Sequence, residues 1–209
     1  MKLAIIGAGK VGTTLGRGLA AAGHAIVYGV RSPDDAAPAL RHAGASVAAV
    51  AAAAAGADAV ILATPWSATE AALRAAGDLT GVPVLDVTNP LGPGLALAIG
   101  HTDSGAEQVQ RWAPGAHVVK VFNTTGLENM ADPVYGAARV AMWVCGDDDA
   151  ACAVAARLAA DLGFDVVRLD GLRWARVTEP VARLWMELAI VRGLGRGVGF
   201  GLRRGAVAP

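Results

Sequence analysis

Three glycines near the start of the chain have the spacing of a phosphate-binding turn. The segment that fits the pattern G-x-G-x-x-G is Gly7-Ala8-Gly9-Lys10-Val11-Gly12. It follows a buried strand and opens a helix, which is the context the pattern needs. We expect Gly7 to permit a tight turn, Gly9 to let a pyrophosphate approach the backbone, and Gly12 to let the helix pack closely on the sheet. Free N–H groups at the start of the helix favour phosphate, so the segment predicts a dinucleotide site.

The end of the second predicted strand indicates which dinucleotide fits. Sites for NAD usually place Asp or Glu there, about 20 residues beyond the glycines, to hold the ribose 2′-hydroxyl. This chain has Arg31 and Ser32, with Asp34 and Asp35 following. A guanidinium binds a 2′-phosphate through charge-assisted hydrogen bonds, and a serine adds a hydroxyl. The sequence therefore predicts NADP in preference to NAD, the alternative being a solvated arginine at a strand end.

Three further strand ends carry small polar residues together with a proline or a glycine. Open α/β sheets bind ligands at the carboxyl ends of their strands, so we expect these residues to hold the ribose and the nicotinamide carboxamide. Ordinary loop chemistry is the alternative for any one of them. The residues are Thr64, Pro65, Trp66, Asn89, Pro90, Asn123 and Thr124.

The sequence shows no motif for a serine nucleophile, a metal centre or a catalytic acid. The chain has no G-x-S-x-G motif and no metal-spaced His/Cys cluster, and its four histidines are scattered. A ketone reductase normally needs an acid to protonate the nascent alkoxide, and no obvious candidate is present; Lys120 falls inside a predicted strand. Hydride transfer to a flavin-like ring needs less protein chemistry, because the ring delocalises the charge. We therefore predict no catalytic residue and no metal ligand.

Strands alternate with helices along the chain, and this order positions the polar strand ends. We predict strands at 2–6, 25–29, 46–48, 59–63, 82–87, 117–122, 139–145 and 164–169. We predict helices at 10–22, 34–43, 67–76, 105–112, 147–162 and 174–194. This order is typical of an α/β, Rossmann-type doubly wound fold with a mainly parallel sheet. We expect a dinucleotide-binding domain over 1–170 and a C-terminal helical appendage with a Gly/Arg-rich tail over 171–209.

Composition excludes several other classes of protein. The chain has 209 residues and a formal net charge of zero, which argues against an electrostatic nucleic-acid binder. Two cysteines make no disulfide framework. The alanine-rich stretch 48–66 mimics a membrane span, but it includes Asp58 and Gly56, and we interpret it as a short helix followed by a strand. We expect a cytoplasmic protein without membrane or nucleic-acid partners, although the tail superficially resembles an RGG-type RNA-binding segment.

Taken together, these motifs resemble the F420-dependent NADP reductases. The resemblance covers nearly the whole chain, and the Pro-Trp pair and the Gly-Asp-Asp segment are more specific than the glycine pattern. The chain is also similar to the cytoplasmic reductase portion of the STEAP-type metalloreductases. Besides the glycine turn, the matching segments are Gly23-His24, Gly29-Val30-Arg31-Ser32, Pro65-Trp66, Asn89-Pro90-Leu91, Cys145-Gly146-Asp147-Asp148-Asp149, Leu169-Asp170-Gly171-Leu172, Ala175-Arg176, Glu179 and the glycine-rich end with Phe200.

The resemblance implies hydride exchange between NADPH and a flavin-type partner, which in the family is the deazaflavin F420. It implies that NADP binds the glycine turn and Arg31-Ser32, with Trp66, Pro90 and the segment 123–124 near the nicotinamide. It also implies that the C-terminal helix and tail cover the second ring and form a homodimer. On this basis the residues expected at the second ring are Thr125, Leu194 and Phe200.

The acceptor itself stays open at this stage. Archaeal members of the family carry His-Thr where this chain has Asn123-Thr124, and an acidic residue where it has Ser67. FMN, FAD or riboflavin are therefore alternatives to F420. Two other classes of function also remain: an NADP-dependent small-substrate dehydrogenase or imine reductase, which normally adds a large helical domain, and an NADPH-binding sensor without turnover.

Overall fold

The computed structural model describes residues 1–203 and 205, and in these residues a central sheet of eight strands carries helices on both faces. Its strand order is β10-β9-β6-β5-β4-β1-β2-β3. The strands are β1 (Lys2–Ile6), β2 (Ala25–Val30), β3 (Ala45–Ala49), β4 (Ala59–Leu62), β5 (Pro83–Asp86), β6 (His117–Lys120), β9 (Ala141–Gly146) and β10 (Asp165–Asp170). A separate hairpin pairs β7 (Val134–Tyr135) with β8 (Ala138–Arg139).

The helices divide between the two faces of the sheet. One face packs against α1, α5 and α6, and the other against α2, α3, α4 and the start of α7. The helices are α1 (Lys10–Ala21), α2 (Val50–Ala54), α3 (Trp66–Ala76), α4 (Gly105–Trp112), α5 (Leu127–Ala131), α6 (Asp149–Asp161) and α7 (Ala175–Met186). Strands β1 and β4 are buried along nearly their whole length because both of their faces are covered. The predicted doubly wound α/β fold is confirmed.

The chain reverses its direction of travel across the sheet between β1 and β4. It runs outward from β1 through β2 to β3, and then crosses back to β4 on the other side of β1. The first six strands are parallel, whereas β9 runs antiparallel to β6. Ligands of open α/β sheets bind at such a reversal, outside the carboxyl ends of the strands. The glycine turn after β1 lies at this position.

Two predicted helices differ from the observed ones. The predicted helix at 34–43 is only a 3₁₀ turn, Pro38–Leu40, because a proline disfavours helical geometry in the residue before it. The predicted helix at 174–194 is α-helical over Ala175–Met186 and then widens into a π-helical turn, Glu187–Val191. Residue 204 and residues 206–209 of the predicted appendage lie outside the described residues. No helix in the described ranges has the length and apolar character that a membrane crossing needs.

Candidate functional site: a dinucleotide cleft at the carboxyl edge of the sheet

Two of the three glycines of the first turn are fixed by close backbone packing. Gly7 has a φ of +106°, and a Cβ there would lie 2.5 Å from the carbonyl oxygen of Ala63. A Cβ on Gly12 would lie 2.0 Å from the carbonyl oxygen of Gly7 and 3.2 Å from a methyl of Ile5. Gly7 therefore permits the tight turn between β1 and α1, and Gly12 lets α1 approach the sheet closely.

The middle glycine faces open space. A Cβ on Gly9 would meet no atom within 4 Å. Gly9 is the N-cap residue of α1, which has no side-chain cap and no acidic residue in its first turn, and Lys10 beside it is exposed. The N–H groups at this helix start are thus left for an anion, and the helix dipole favours negative charge there.

A cavity of about 460 Å³ extends from this turn toward the end of β2. Arg31 lies at its β2 side, and alanine methyl groups of α3 form its opposite wall. An apolar slot beside an arginine suits an adenine ring and its phosphorylated ribose. The lining residues are Ile6, Gly7, Ala8, Gly9, Gly29, Val30, Arg31, Val50, Ala63, Thr64, Pro65, Ala68, Ala71, Ala72 and Ala75.

Arg31 is exposed and has no hydrogen bond or ion pair within residues 1–203 and 205. Its neighbour Ser32 is exposed as well. The loop that follows is shaped by Arg41, whose guanidinium donates to the carbonyl oxygens of Pro33 and Ala36 at 3.1 and 3.2 Å. The Arg31 guanidinium is therefore free to bind an anion without giving up a contact within the protein.

A second cavity of about 420 Å³ continues from the first. The two share Ala63, Thr64 and Pro65 in their walls, so they form one cleft along the strand ends. Trp66 stands at the start of α3 and packs on Trp112 with ring centroids 5.2 Å apart. The lining residues of this second cavity are Val11, Ala63, Thr64, Pro65, Trp66, Ser67, Val87, Thr88, Asn89 and Leu91.

None of the residues that line the second cavity is ionisable in the physiological range. The Asn89 amide is engaged by the chain itself, since its Nδ2 donates to the Asn123 carbonyl oxygen at 3.0 Å. The Asn123 Nδ2 donates in turn to Asn89 Oδ1 and to the Thr178 carbonyl oxygen, both at 3.1 Å. The described residues also contain no group of three or more His, Cys, Asp or Glu side chains placed to hold a metal ion. The cavity can position a ring, but it offers no acid from its own walls.

The remaining predicted residues lie in three different settings. Pro90 is buried, and Thr124 is buried with a hydroxyl that has no partner within the described residues. Thr125 accepts a hydrogen bond from Asn129 Nδ2 at 2.7 Å. Leu194 is 63% exposed. Phe200 packs near Trp143 and lines a separate cavity of about 750 Å³ beside the hairpin. None of Thr125, Leu194 and Phe200 is among the residues that line the two cavities of the cleft.

A buried ion cluster beneath the cleft was missed at the sequence level. Lys120 is fully buried, and its Nζ lies 2.9 Å from Asp86 Oδ2 and 2.9 Å from Glu179 Oε1. Burial lowers the pKa of Lys120, but the charges of these two carboxylates outweigh it and the pKa is raised. A signal did exist, because Asp86 and Lys120 are single charges inside two apolar predicted strands, and the parallel register pairs them directly.

The residues of the cleft fit an NADP molecule. Open space over Gly9 admits a pyrophosphate, and the unpartnered Arg31 beside the first cavity suits a 2′-phosphate. The second cavity is apolar enough for the nicotinamide end of the dinucleotide. Both ends of the molecule thus find residues of matching chemistry along one continuous cleft.

Comparisons with known proteins identify a family and similar solved structures. Residues 2–90 match the family described as "NADP oxidoreductase coenzyme F420-dependent". A solved structure from Arthrobacter sp. FB24, named as a candidate F420-dependent NADP-reductase, is 37% identical, with a TM-score of 0.89 over 98% of this chain and 100% of that one. A hypothetical protein from Sinorhizobium meliloti is 26% identical, with a TM-score of 0.74 over 98% of this chain and 96% of that one.

A more distant likeness concerns the fold alone. A reductive aminase from Aspergillus terreus, solved with NADPH and ethyl levulinate, is 23% identical with a TM-score of 0.68. The match covers 92% of this chain but 62% of the aminase. The aminase therefore shares the nucleotide fold and is the longer chain of the two.

Proposed function

The chain belongs to the family of coenzyme F420-dependent NADP oxidoreductases, and we propose that it transfers a hydride between NADPH and a flavin-type acceptor. The acceptor is F420 or a flavin such as FMN, FAD or riboflavin. NADPH supplies the hydride, and the protein's residues bind and orient the two rings. No side chain is proposed as a catalytic acid or base.

We assign the dinucleotide to the cleft as follows. The pyrophosphate binds over Gly9 at the start of α1, and the 2′-phosphate binds Arg31 and Ser32. The nicotinamide end enters the second cavity, beside Trp66 and Asn89. The preference for NADP over NAD rests on Arg31, which is free to bind and stands where an NAD site would carry a carboxylate.

The observation that carries the choice of acceptor is the chemistry of the second cavity. Its walls hold no acid that could protonate the alkoxide formed from a ketone or the nitrogen of a reduced imine. A conjugated ring that delocalises the incoming charge does not need such a group at the cavity wall. A ketone or imine substrate would need one, so this observation favours a flavin-type ring over a small carbonyl compound.

NADPH oxidation against a panel of acceptors tests the proposal. The panel contains F420, FMN, FAD, riboflavin, ferric chelates, and a cyclic imine and a ketone as small substrates. We expect turnover with at least one of the flavin-type rings and none with the imine or the ketone. Turnover with the small substrates alone would refute the flavin-type acceptor. Tight NADPH binding without turnover on any acceptor would instead identify a sensor.

We also propose that the protein is a homodimer that pairs through α7 and the turn after it. Val177, Leu184 and Val191 are each about half exposed and are spaced seven residues apart. Val177 and Leu184 are nearly two turns apart on α7, so these two side chains share one face over about 10 Å, and Val191 follows in the π-helical turn. We take these three exposed side chains as the seam of the dimer, because a twofold axis would set this apolar patch against its own copy.

The mass of the protein in solution tests the dimer. Leu184→Glu places a charge in the middle of the seam, and we expect it to convert a dimer into a monomer in light scattering. Val134→Glu is the matched control, because Val134 is also exposed but lies on the hairpin away from α7. A wild-type monomer, or a Leu184→Glu variant that stays dimeric, would overturn the proposal. The assignment of Thr125, Leu194 and Phe200 to the second ring stays a prediction.

A further inference from the structure

We propose that Lys120 is a positioning residue for the nicotinamide, because with Asp86 it fixes every polar group of Thr88 in the wall of the second cavity. The inference rests on the proposed NADPH chemistry and deepens it. Lys120 does not line the cleft itself, and it acts on the bound ring through the Thr88–Asn89 backbone.

The N–H, the hydroxyl and the carbonyl group of Thr88 are all hydrogen-bonded to the Asp86–Lys120 ion pair. Its N–H and its hydroxyl both donate to Asp86 Oδ1, at 2.9 and 2.7 Å. Its carbonyl oxygen accepts a hydrogen bond from Lys120 Nζ at 2.5 Å. Every polar group of Thr88 is therefore bonded to one ion pair, and both members of that pair are fully buried. A cavity wall tied in this way cannot shift without separating buried charges.

The same cluster reaches two further elements. Glu179 of α7 pairs with Lys120, and its carboxylate also accepts from the N–H groups of Gly105 and Ala106 at 2.9 and 3.1 Å. These N–H groups belong to the first turn of α4, where a negative charge is favourable. One ammonium thus joins the ends of β5 and β6 to α4 and α7, around the nicotinamide side of the cleft.

Stability alone is a weak reason for such a cluster. Well-packed apolar residues in place of a buried ion pair often leave a protein as stable or more so. What an ion cluster adds is a defined geometry, since each charge has to be met by specific partners. The part of the cleft that gains this geometry is the Thr88–Asn89 wall, where the distance between the nicotinamide and an acceptor ring is set.

The double variant Lys120→Met/Asp86→Asn tests the role of the cluster. The single Lys120→Met change would leave two unpaired buried carboxylates, whereas the double variant keeps the cluster's net charge of −1 and the carbonyl acceptor for Thr88. His24→Gln is the matched control, because it replaces another buried side chain with a carboxylate partner, the partly exposed Asp161 at 3.0 Å, and lies at the turn between α1 and β2. Thermal unfolding of the wild type, the double variant and the control identifies a temperature at which all three are folded.

Three measurements are then made on NADPH. The dissociation constant should stay within about threefold of wild type in the double variant, because the phosphates bind elsewhere. The fluorescence anisotropy of the bound nicotinamide should fall, since the ring is less constrained. The turnover number should fall by about 10- to 100-fold, the effect expected of a displacement near 1 Å. The His24→Gln control should change neither the anisotropy nor the turnover number.

Equal anisotropy and turnover in the double variant and the control would overturn the positioning role. The anisotropy does not depend on an acceptor, so it separates the two proposals. If none of the acceptors in the panel supports NADPH oxidation by the wild type, the proposed reaction fails. A lower anisotropy in the double variant would still support positioning by Lys120.

Discussion

Alanine at Gly9 and alanine at Gly12 should have opposite consequences. Gly9 has ordinary extended geometry (φ −77°, ψ −170°), and its added Cβ meets nothing within 4 Å. We therefore expect Gly9→Ala to fold with unchanged stability or a gain of about 0.4–1 kcal/mol from the less flexible unfolded chain. The same methyl occupies the space through which a pyrophosphate approaches the helix start. Losing one charge-assisted hydrogen bond there costs about 1.5–3 kcal/mol, which is about 10- to 150-fold in affinity.

Gly12→Ala should instead damage the fold. Its Cβ would lie 2.0 Å from the Gly7 carbonyl oxygen, a distance that forces α1 away from β1. Overpacking of this kind costs about 1–3 kcal/mol or more. Urea unfolding measures stability, and calorimetric titration with NADPH measures affinity. If Gly9→Ala bound NADPH as tightly as the wild type, the pyrophosphate would not lie over this turn, and the site assignment would be wrong.

Three more outcomes follow from single side chains. Arg31→Ala should weaken the binding of NADPH about 10-fold or more in calorimetry and leave the binding of NADH unchanged. The control Arg74→Ala on α3 should alter neither affinity, and an unchanged preference for NADPH in Arg31→Ala would contradict the 2′-phosphate assignment. The Arg176 guanidinium holds the pKa of Glu107 below its usual value. This pair therefore stabilises the fold above about pH 4.3, and the stabilisation is lost as the pH falls further. In urea unfolding between pH 7 and 3, the Arg176→Met variant should lose less stability than the wild type does. Burial raises the pKa of the Cys145 thiol to about 12, so it should react with a thiol reagent at pH 8 only after denaturation; modification of the native protein would contradict its burial.

The sequence predicted those parts of the site that depend on local signals. The roles of Gly7 and Gly12 follow from a spacing within six residues, and the observed packing distances agree with both. The strand ends were also placed correctly, because an apolar run followed by a small polar residue marks a strand that leaves the core. Since parallel strands end at one edge of the sheet, placing the strands was enough to predict the cleft.

The parts that sequence reasoning missed depend on contacts between distant residues. The sequence shows Lys120 only as a lysine inside a predicted strand, because its partners Asp86 and Glu179 lie 34 and 59 positions away. Their meeting requires the register of β5 on β6 and the docking of α7. The path of the tail is a similar case, since it returns to the start of β9, where the Ala141 N–H donates to the Phe200 carbonyl oxygen at 2.8 Å.

The separation of apolar walls from polar groups in the cleft explains how an alanine-rich chain could select one dinucleotide over another. The α3 wall of the first cavity consists of methyl groups, from Ala68 to Ala75, which can exclude water but cannot donate or accept a hydrogen bond. Selectivity must then come from backbone N–H groups, from Arg31 and from the loops at the strand ends. Because the formal net charge is zero, no net charge of the protein attracts an anionic cofactor to these groups. The backbone donors and the loop walls therefore have to be held rigidly, and the buried charges around Lys120 provide that rigidity at the nicotinamide end.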